Sequence, residues 1–300
     1  MYLNPYDFLP DYSYPLYRPP SEANSLIFQI TEGCSYNKCS FCGMYMTKKF
    51  RIKPFEEFKR EVDKMPESIR KEIRRIFLAD GDAVIYPTDG LIKILDYINL
   101  MFPNLERISS YAGPQAILGK SIDEWKEILK RKLTLLYFGL ESGNKEVLKI
   151  MNKGMDPEEI KPKILELQKL GFLFSVMIIL GAGGVKLSEQ HALDTAKWIT
   201  EVNPKYLGML TLFIRKKRDY FDSLETPKVR DLINESRMIV ENINGKGIIF
   251  RSNHVSNMFI LKGVLSEEKE RLLNYLDEVY LYLASKNLLD TYPDYYREEF

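Results

Sequence analysis

The sequence predicts an α/β protein: a partial (β/α)6 barrel of the TIM type followed by a C-terminal extension of helices and a short strand. Three observations carry this. Six apolar, β-branched or aromatic runs each precede a segment with apolar residues at three- and four-residue spacing. That alternation implies a parallel sheet with helices outside it. The rhythm then breaks after Ile214. The 300 residues suit one barrel-sized domain.

The expected strands are Ser25–Thr31, Arg75–Asp80, Arg107–Ala112, Leu133–Glu141, Leu173–Gly181 and Tyr206–Ile214. Between them the spacing predicts helices over Phe55–Lys64, Gly90–Met101, Ile122–Arg131, Lys145–Ile150, Pro157–Leu170 and Leu187–Val202. After a charged loop at Arg215–Asp219, Pro227–Asn244 and Ser266–Ser285 read as helices and Gly247–Arg251 as a short strand. Residues 1–24 are expected to cover the barrel, 25–215 to form it, and 216–300 to pack on it. The early tyrosines Tyr2, Tyr6, Tyr12, Tyr14 and Tyr17 are expected to pack as amphipathic core.

Net charge is +1, so bulk electrostatics points to neither a nucleic acid nor a membrane partner. No stretch approaches 18 uncharged apolar residues, and the N-terminus does not read as a signal peptide. The expected location is the cytoplasm, where thiols stay reduced.

The chain has three cysteines, Cys34, Cys39 and Cys42, all on the loop after the first predicted strand. An odd count in a reducing compartment argues against disulfides. A structural zinc site wants four protein ligands, and the two histidines, His191 and His254, lie far along the chain. Three local thiolates fit better a [4Fe–4S] cluster with one iron left open for chemistry. A non-catalytic iron–sulfur or zinc protein is the alternative. In a parallel barrel this loop lies at the catalytic face.

The segment CSYNKCSFC resembles the cluster loop of the radical S-adenosylmethionine (radical SAM) superfamily. Cys39-Ser40-Phe41-Cys42 matches its second half, including the aromatic Phe41 before the last cysteine. The first gap, Ser35–Lys38, holds four residues where the family usually has three. The resemblance implies a [4Fe–4S] cluster on the three cysteines and S-adenosyl-L-methionine as second cofactor. It also implies an electron donor such as flavodoxin or ferredoxin, and a substrate that the sequence does not identify.

Groups at later strand ends extend the resemblance. Asp80-Gly81-Asp82 is similar to the family motif that receives the methionine amino group, although an Asp–Gly–Asp run also suits a turn or a cation loop. Ser109 and Tyr111 share one strand face; Ser109 is a candidate cofactor contact and Tyr111 a candidate catalytic group. The segment GLESGNKEVLKIMNKG resembles oxygen-independent coproporphyrinogen oxidases and methylthiotransferases. This puts Glu141 near the cofactor and Lys153 on the methionine carboxylate; a helix-end cation is the simpler reading of Lys153. Ile179, before Gly181-Ala182-Gly183-Gly184, is expected beside adenine, while Met177 stands where the coproporphyrinogen oxidases carry an acidic ribose contact. Arg251 and His254 are further candidate catalytic groups, and His191 reads as structural. With three cysteines in one loop, no thiolate is left for a second cluster within this chain.

Overall fold

A computed structural model describes residues 8–213, 220 and 223–293. Tyr2, Tyr6, Ile214, the charged loop Arg215–Asp219 and the last seven residues of the tail lie outside the described residues. The chain forms two compact units. One comprises Met1–Asn37, Met44–Phe138 and Glu166–Leu173; the other comprises Lys38–Gly43, Gly139–Leu165 and Phe174–Phe300.

The first unit carries β1 (Leu26–Gln29), β2 (Thr31–Glu32), β3 (Arg51–Ile52), β4 (Arg75–Ala79), β5 (Arg107–Tyr111) and most of β6 (Leu133–Glu141). Its helices are α1 (Phe55–Asp63), α2 (Glu67–Glu72), α3 (Thr88–Met101), α4 (Pro114–Gly119) and α5 (Ile122–Leu129). Strands β1, β4, β5 and β6 lie side by side in that order, parallel throughout. The predicted strand Ser25–Thr31 ends early. Ile30 still donates to Ala79, but Thr31 then pairs with Ile52 of β3, turning the chain toward the cysteine loop.

Side chains alternate between the two faces of these strands. One face is apolar and meets the helices: Phe28 packs edge-on against Phe58 of α1, at 5.2 Å, and against Phe102, at 5.9 Å. The other face carries Gln29, Phe77, Arg107, Tyr111 and Tyr137. There Phe77, Tyr111 and Tyr137 stack edge-on, with ring centroids 5.1–6.1 Å apart. The segment before β1 lies along this face. Ser13 and Gln29 exchange two hydrogen bonds of 2.7 and 2.8 Å. Glu22, fully buried, accepts from Arg107 at 2.8 Å and from Tyr137 at 2.7 Å. A buried carboxylate is tolerable only with such partners.

The second unit holds the last three residues of β6, then α6 (Lys145–Ile150), most of α7 (Pro157–Leu170), β7 (Leu173–Leu180), α8 (Ser188–Val202), β8 (Tyr206–Thr211), α9 (Val229–Asn242), β9 (Ile249–Arg251), β10 (Lys262–Val264) and α10 (Leu265–Ser285). Strands β7, β8 and β9 are parallel neighbours, and β10 closes this edge antiparallel to β9. The predicted strand Tyr206–Ile214 stops at Thr211. There the amide of Thr211 donates to Ser256 Oγ, 3.0 Å away. Helices α8 and α9 pack together, with His191, Thr195 and Ile199 of one and Leu232, Glu235 and Ile239 of the other all buried. The mostly parallel α/β architecture is as the sequence predicts, and all six expected strands form. Short elements with weak periodicity, namely α2, α4, β3 and β10, are additions to that expectation.

Candidate cofactor site

In the first unit the end of β4 grips the first cysteine from both sides. Asp80 is fully buried. Its Oδ2 accepts from the amide of Gly33, one residue before Cys34, at 2.9 Å, and from Lys48 Nζ at 2.7 Å. Its Oδ1 accepts from Gln29 Nε2 at 2.9 Å. Asp82 takes the other side: Oδ2 accepts from Ser35 Oγ at 2.8 Å, and Oδ1 from the amide of Gly113 at 2.8 Å. Between them Gly81 donates its amide to Gly33 O at 3.1 Å. A Cβ on Gly81 would stand 3.2 Å from Cys34 Cβ and 2.8 Å from the Tyr45 ring. Glycine is therefore required for this close approach. The run Asp80-Gly81-Asp82 thus acts first as a clamp on residues 33–35, with both carboxylates occupied by the protein.

Ser109 and Tyr111 lie on the face of β5 that Phe77 and Tyr137 share. Ser109 is buried with Oγ 3.4 Å from Ile76 O. Burial holds the Tyr111 phenol up, with Asp80 and Glu22 adding to the effect, so it stays protonated.

In the second unit Cys39 and Cys42 form a tight turn, in which Cys42 N donates to Cys39 O at 3.3 Å. Phe41 sits within it. The turn is tied to the end of α6: Ser40 N donates to Met151 O at 2.8 Å, and Asn152 Nδ2 donates to Lys38 O at 2.8 Å. Two residues on from Met151, Lys153 Nζ lies 2.7 Å from Glu141 Oε1. Burial works against the Lys153 charge, but Glu141, Cys39 and Cys42 together outweigh it, and its pKa is raised. Glu141 itself adopts the left-handed conformation, φ 64°, rare for a residue with a side chain. Its neighbours over-determine that shape. Ser142 Oγ bonds His191 Nδ1 at 2.7 Å, Gly143 N donates to Thr195 Oγ1 at 2.8 Å, and Asn144 Nδ2 donates to Asp194 Oδ2 at 2.6 Å. Asn144 Oδ1 also accepts from Val147 N at 2.9 Å and caps α6.

Ile179 is buried near the end of β7. Arg251 Nη1 bonds the carbonyl of Phe250. His254 Nδ1 meets Ser256 Oγ at 2.8 Å, in a network with Thr211, Asn257 and Ser252 at the end of β8. Residues that the sequence did not single out include Lys48, Gln29, Asp194, Thr195 and Glu235.

All three cysteines are unbridged and half-buried. Among the described residues, no three His, Cys, Asp or Glu side chains gather closely enough to hold a single metal ion. Among the described residues no helix is long and apolar enough to cross a membrane.

Residues 28–199 match the family model of the radical SAM superfamily. A probable threonylcarbamoyladenosine tRNA methylthiotransferase from Methanocaldococcus jannaschii is 25% identical over 242 residues, covering 75% of this chain and 54% of that protein. The chain thus spans about half the length of that curated relative. Among solved structures, the cobalamin-dependent S-adenosylmethionine radical enzyme OxsB with aqua-cobalamin bound aligns with a TM-score of 0.52 and 16% identity, covering 87% of this chain and 36% of that one. The enzyme anSMEcpe with bound AdoMet gives 0.51 and 14%, covering 72% and 56%. An N-terminally truncated Elp3 from the archaeon Methanocaldococcus infernus gives 0.50 and 14%, covering 78% and 59%. At these identities the likeness is one of fold.

Proposed function

The chain belongs to the radical SAM superfamily, whose enzymes use a [4Fe–4S] cluster and S-adenosyl-L-methionine, and on that premise we propose that Cys34, Cys39 and Cys42 hold the cluster and that this enzyme cleaves the cofactor reductively to act on a substrate by hydrogen abstraction. When bound, the cluster and cofactor supply methionine and a 5′-deoxyadenosyl radical after one electron arrives from a flavodoxin- or ferredoxin-type donor.

The observation that carries this reading is the Lys153–Glu141 pair beside Cys39 and Cys42. An α-amino acid bears one ammonium and one carboxylate. A half-buried lysine and a buried glutamate 2.7 Å apart present the complementary charges. Lys153 receives the carboxylate, and Glu141 orients the amino end. In their low-dielectric setting such charge-assisted bonds are strong. Asp80 and Asp82, the proposed contacts for the methionine amino group, also hold Gly33 and Ser35 and so set the position of Cys34. Gly81 keeps that approach open, Phe41 fills the turn before Cys42, and Ile179 supplies an apolar surface for adenine. Tyr111 and Ser109 line one face of β5.

The test is anaerobic. Protein reconstituted with iron and sulfide is mixed with dithionite and S-adenosyl-L-methionine, and 5′-deoxyadenosine is quantified. Product in the native protein and none in Cys39→Ala is the expected result. A loaded cluster that forms no product and shows no spectral change with the cofactor refutes the proposal, as does stoichiometric zinc in anaerobically purified protein.

A further inference from the structure

Two ionisable side chains of the second unit are fully buried and unused by the proposed chemistry: His191 on α8 and Glu235 on α9. His191 Nδ1 meets Ser142 Oγ at 2.7 Å, directly after Glu141. Ser142 Oγ already accepts from Asn144 N at 3.0 Å, so its own proton can go to Nδ1. The imidazole proton then sits on Nε2, which lies 3.6 Å from Glu235 Oε1, beyond hydrogen-bond reach but near enough for charge attraction. Glu235 does more. Oε1 accepts from the amide of Gly181, the residue after β7, at 2.7 Å, and Oε2 accepts from Ser188 Oγ at 2.5 Å. Gly181 has φ 79°, so this turn, like Glu141, is a left-handed strand end. Leu232, one turn before Glu235 on α9, packs beside the same glycine.

We infer that Glu235 and His191 are positioning residues, a buried brace through which the C-terminal helix α9 holds the ends of β6 and β7, and with them Glu141, in their left-handed conformations. The brace tightens when Glu235 is ionised, because the carboxylate then attracts the Nε2–H of His191 and accepts more strongly from Gly181 and Ser188.

The ionisation falls near neutrality. Burial pushes the Glu235 carboxyl up to about 7, with Asp231 on its own helix adding to the rise and Ser188 and Gly181 pulling it back. Burial holds the His191 imidazole down at about 4, opposed by the Ile179 backbone and Asp194, so it is neutral throughout the relevant range. Tyr220 also feels Glu235, and burial keeps that phenol protonated. From α10, the ion pair Arg237–Asp277 reaches α9 on its exposed side. The charge on Glu235 is thus the variable one.

The link from the brace to Glu141 rests partly on the proposed cofactor, so two readouts are used on the Glu235→Gln protein, whose amide can reproduce the bonds to Gly181 and Ser188 without the charge. The first is hydrogen exchange of the Gly143 and Asn144 amides in the metal-free protein. At pH 8 the variant should lose about tenfold in protection, the scale of one hydrogen bond to a charged group. At pH 6, with Glu235 protonated in the native protein, the two should match. The second is S-adenosyl-L-methionine affinity of the anaerobic cluster-loaded protein, which should be weaker in the variant by a similar factor at pH 8 and equal at pH 6. Equal exchange at pH 8 overturns the brace, even where cofactor binds normally. A native protein that binds no cofactor overturns the proposed function and leaves the exchange result standing. Ser142→Ala is the second variant: it cuts His191 from the loop and should lower Asn144 protection at both pH values, and unchanged protection there also overturns the brace.

Discussion

Lys153 Nζ lies 2.7 Å from Glu141 Oε1, with only 12% and 11% of the two side chains exposed. Neither charge is screened by much water, so the pair is held together by mutual need. Removing one partner leaves a buried charge alone, which costs about 3 kcal/mol or more. Lys153→Met should therefore lower the unfolding free energy of the metal-free protein by that order in urea titration. It should also weaken S-adenosyl-L-methionine binding by at least about tenfold. Unchanged affinity in a folded variant would remove Lys153 from the cofactor site.

Gly81→Ala tests the clamp on Cys34. The added methyl would meet Tyr45 at 2.8 Å and Cys34 Cβ at 3.2 Å, so the strand end or the cysteine loop must shift. Iron and sulfide retained after reconstitution should fall well below the native level, with thermal stability reduced by about 1–3 kcal/mol as for other overpacked sites. Full iron loading would show that the close approach does not matter to Cys34.

Asp80→Asn addresses the second buried pair. Lys48 and Asp80 lie 2.7 Å apart with 5% and 0% of their side chains exposed. Asparagine keeps the acceptor for one partner but leaves the Lys48 ammonium with the Ser13 carbonyl and no counter-charge, at a cost of about 3 kcal/mol. Equilibrium urea unfolding at neutral pH reads this directly. Asp80→Asn together with Lys48→Met should recover part of the loss, and no recovery would show that the two residues are not coupled.

The buried acid and base of the second unit predict opposite pH slopes. Glu235 rises from 4.5 to about 7 on folding, so between those values the native state holds a proton that the unfolded chain lacks. Its contribution to stability is present below pH 4.5 and falls as pH rises to 7. His191 drops from 6.5 to about 4, so its contribution grows as pH rises through that window. In the native protein the two slopes largely cancel. Glu235→Gln removes one of them, and the variant should gain on the native protein by on the order of 3 kcal/mol between pH 4.5 and 7. Parallel stability curves would show that Glu235 titrates normally. A purely structural role would move global stability and the exchange of Gly143 and Asn144 in the same direction, whereas the brace moves them apart above pH 7.

Much of this was legible in the sequence because the strands are short apolar runs and the helices carry clear apolar stripes. The cysteine loop announces itself by clustering, and Glu141 by a charge at the end of an apolar strand. Asp80 and Asp82 were visible as residues but not as actions. Their partners Gly33, Ser35, Lys48 and Gly113 are 31 to 47 residues away, and nothing local indicates that the carboxylates face back toward Cys34. Glu235 did leave a trace: it lies three residues after Leu232 and four before Ile239, on the apolar stripe of α9, where a carboxylate needs a buried partner. His191 sits likewise on the buried face of α8. Which buried residues meet depends on how the two stripes align, and that information is non-local.

The burial of Glu22 has a consequence for how this chain is made. The residues that accept it, Arg107 and Tyr137, follow it by 85 and 115 positions. On the ribosome Glu22 emerges well before them and cannot meet both partners until β6 has been synthesised. At about 5–20 residues per second, that is a wait of some seconds during which Tyr12, Tyr17 and the bare faces of β1 and β4 are exposed together. Contacts of such long sequence separation also slow folding after release. Glu22 is therefore among the first residues of its unit to be made and among the late ones to be satisfied.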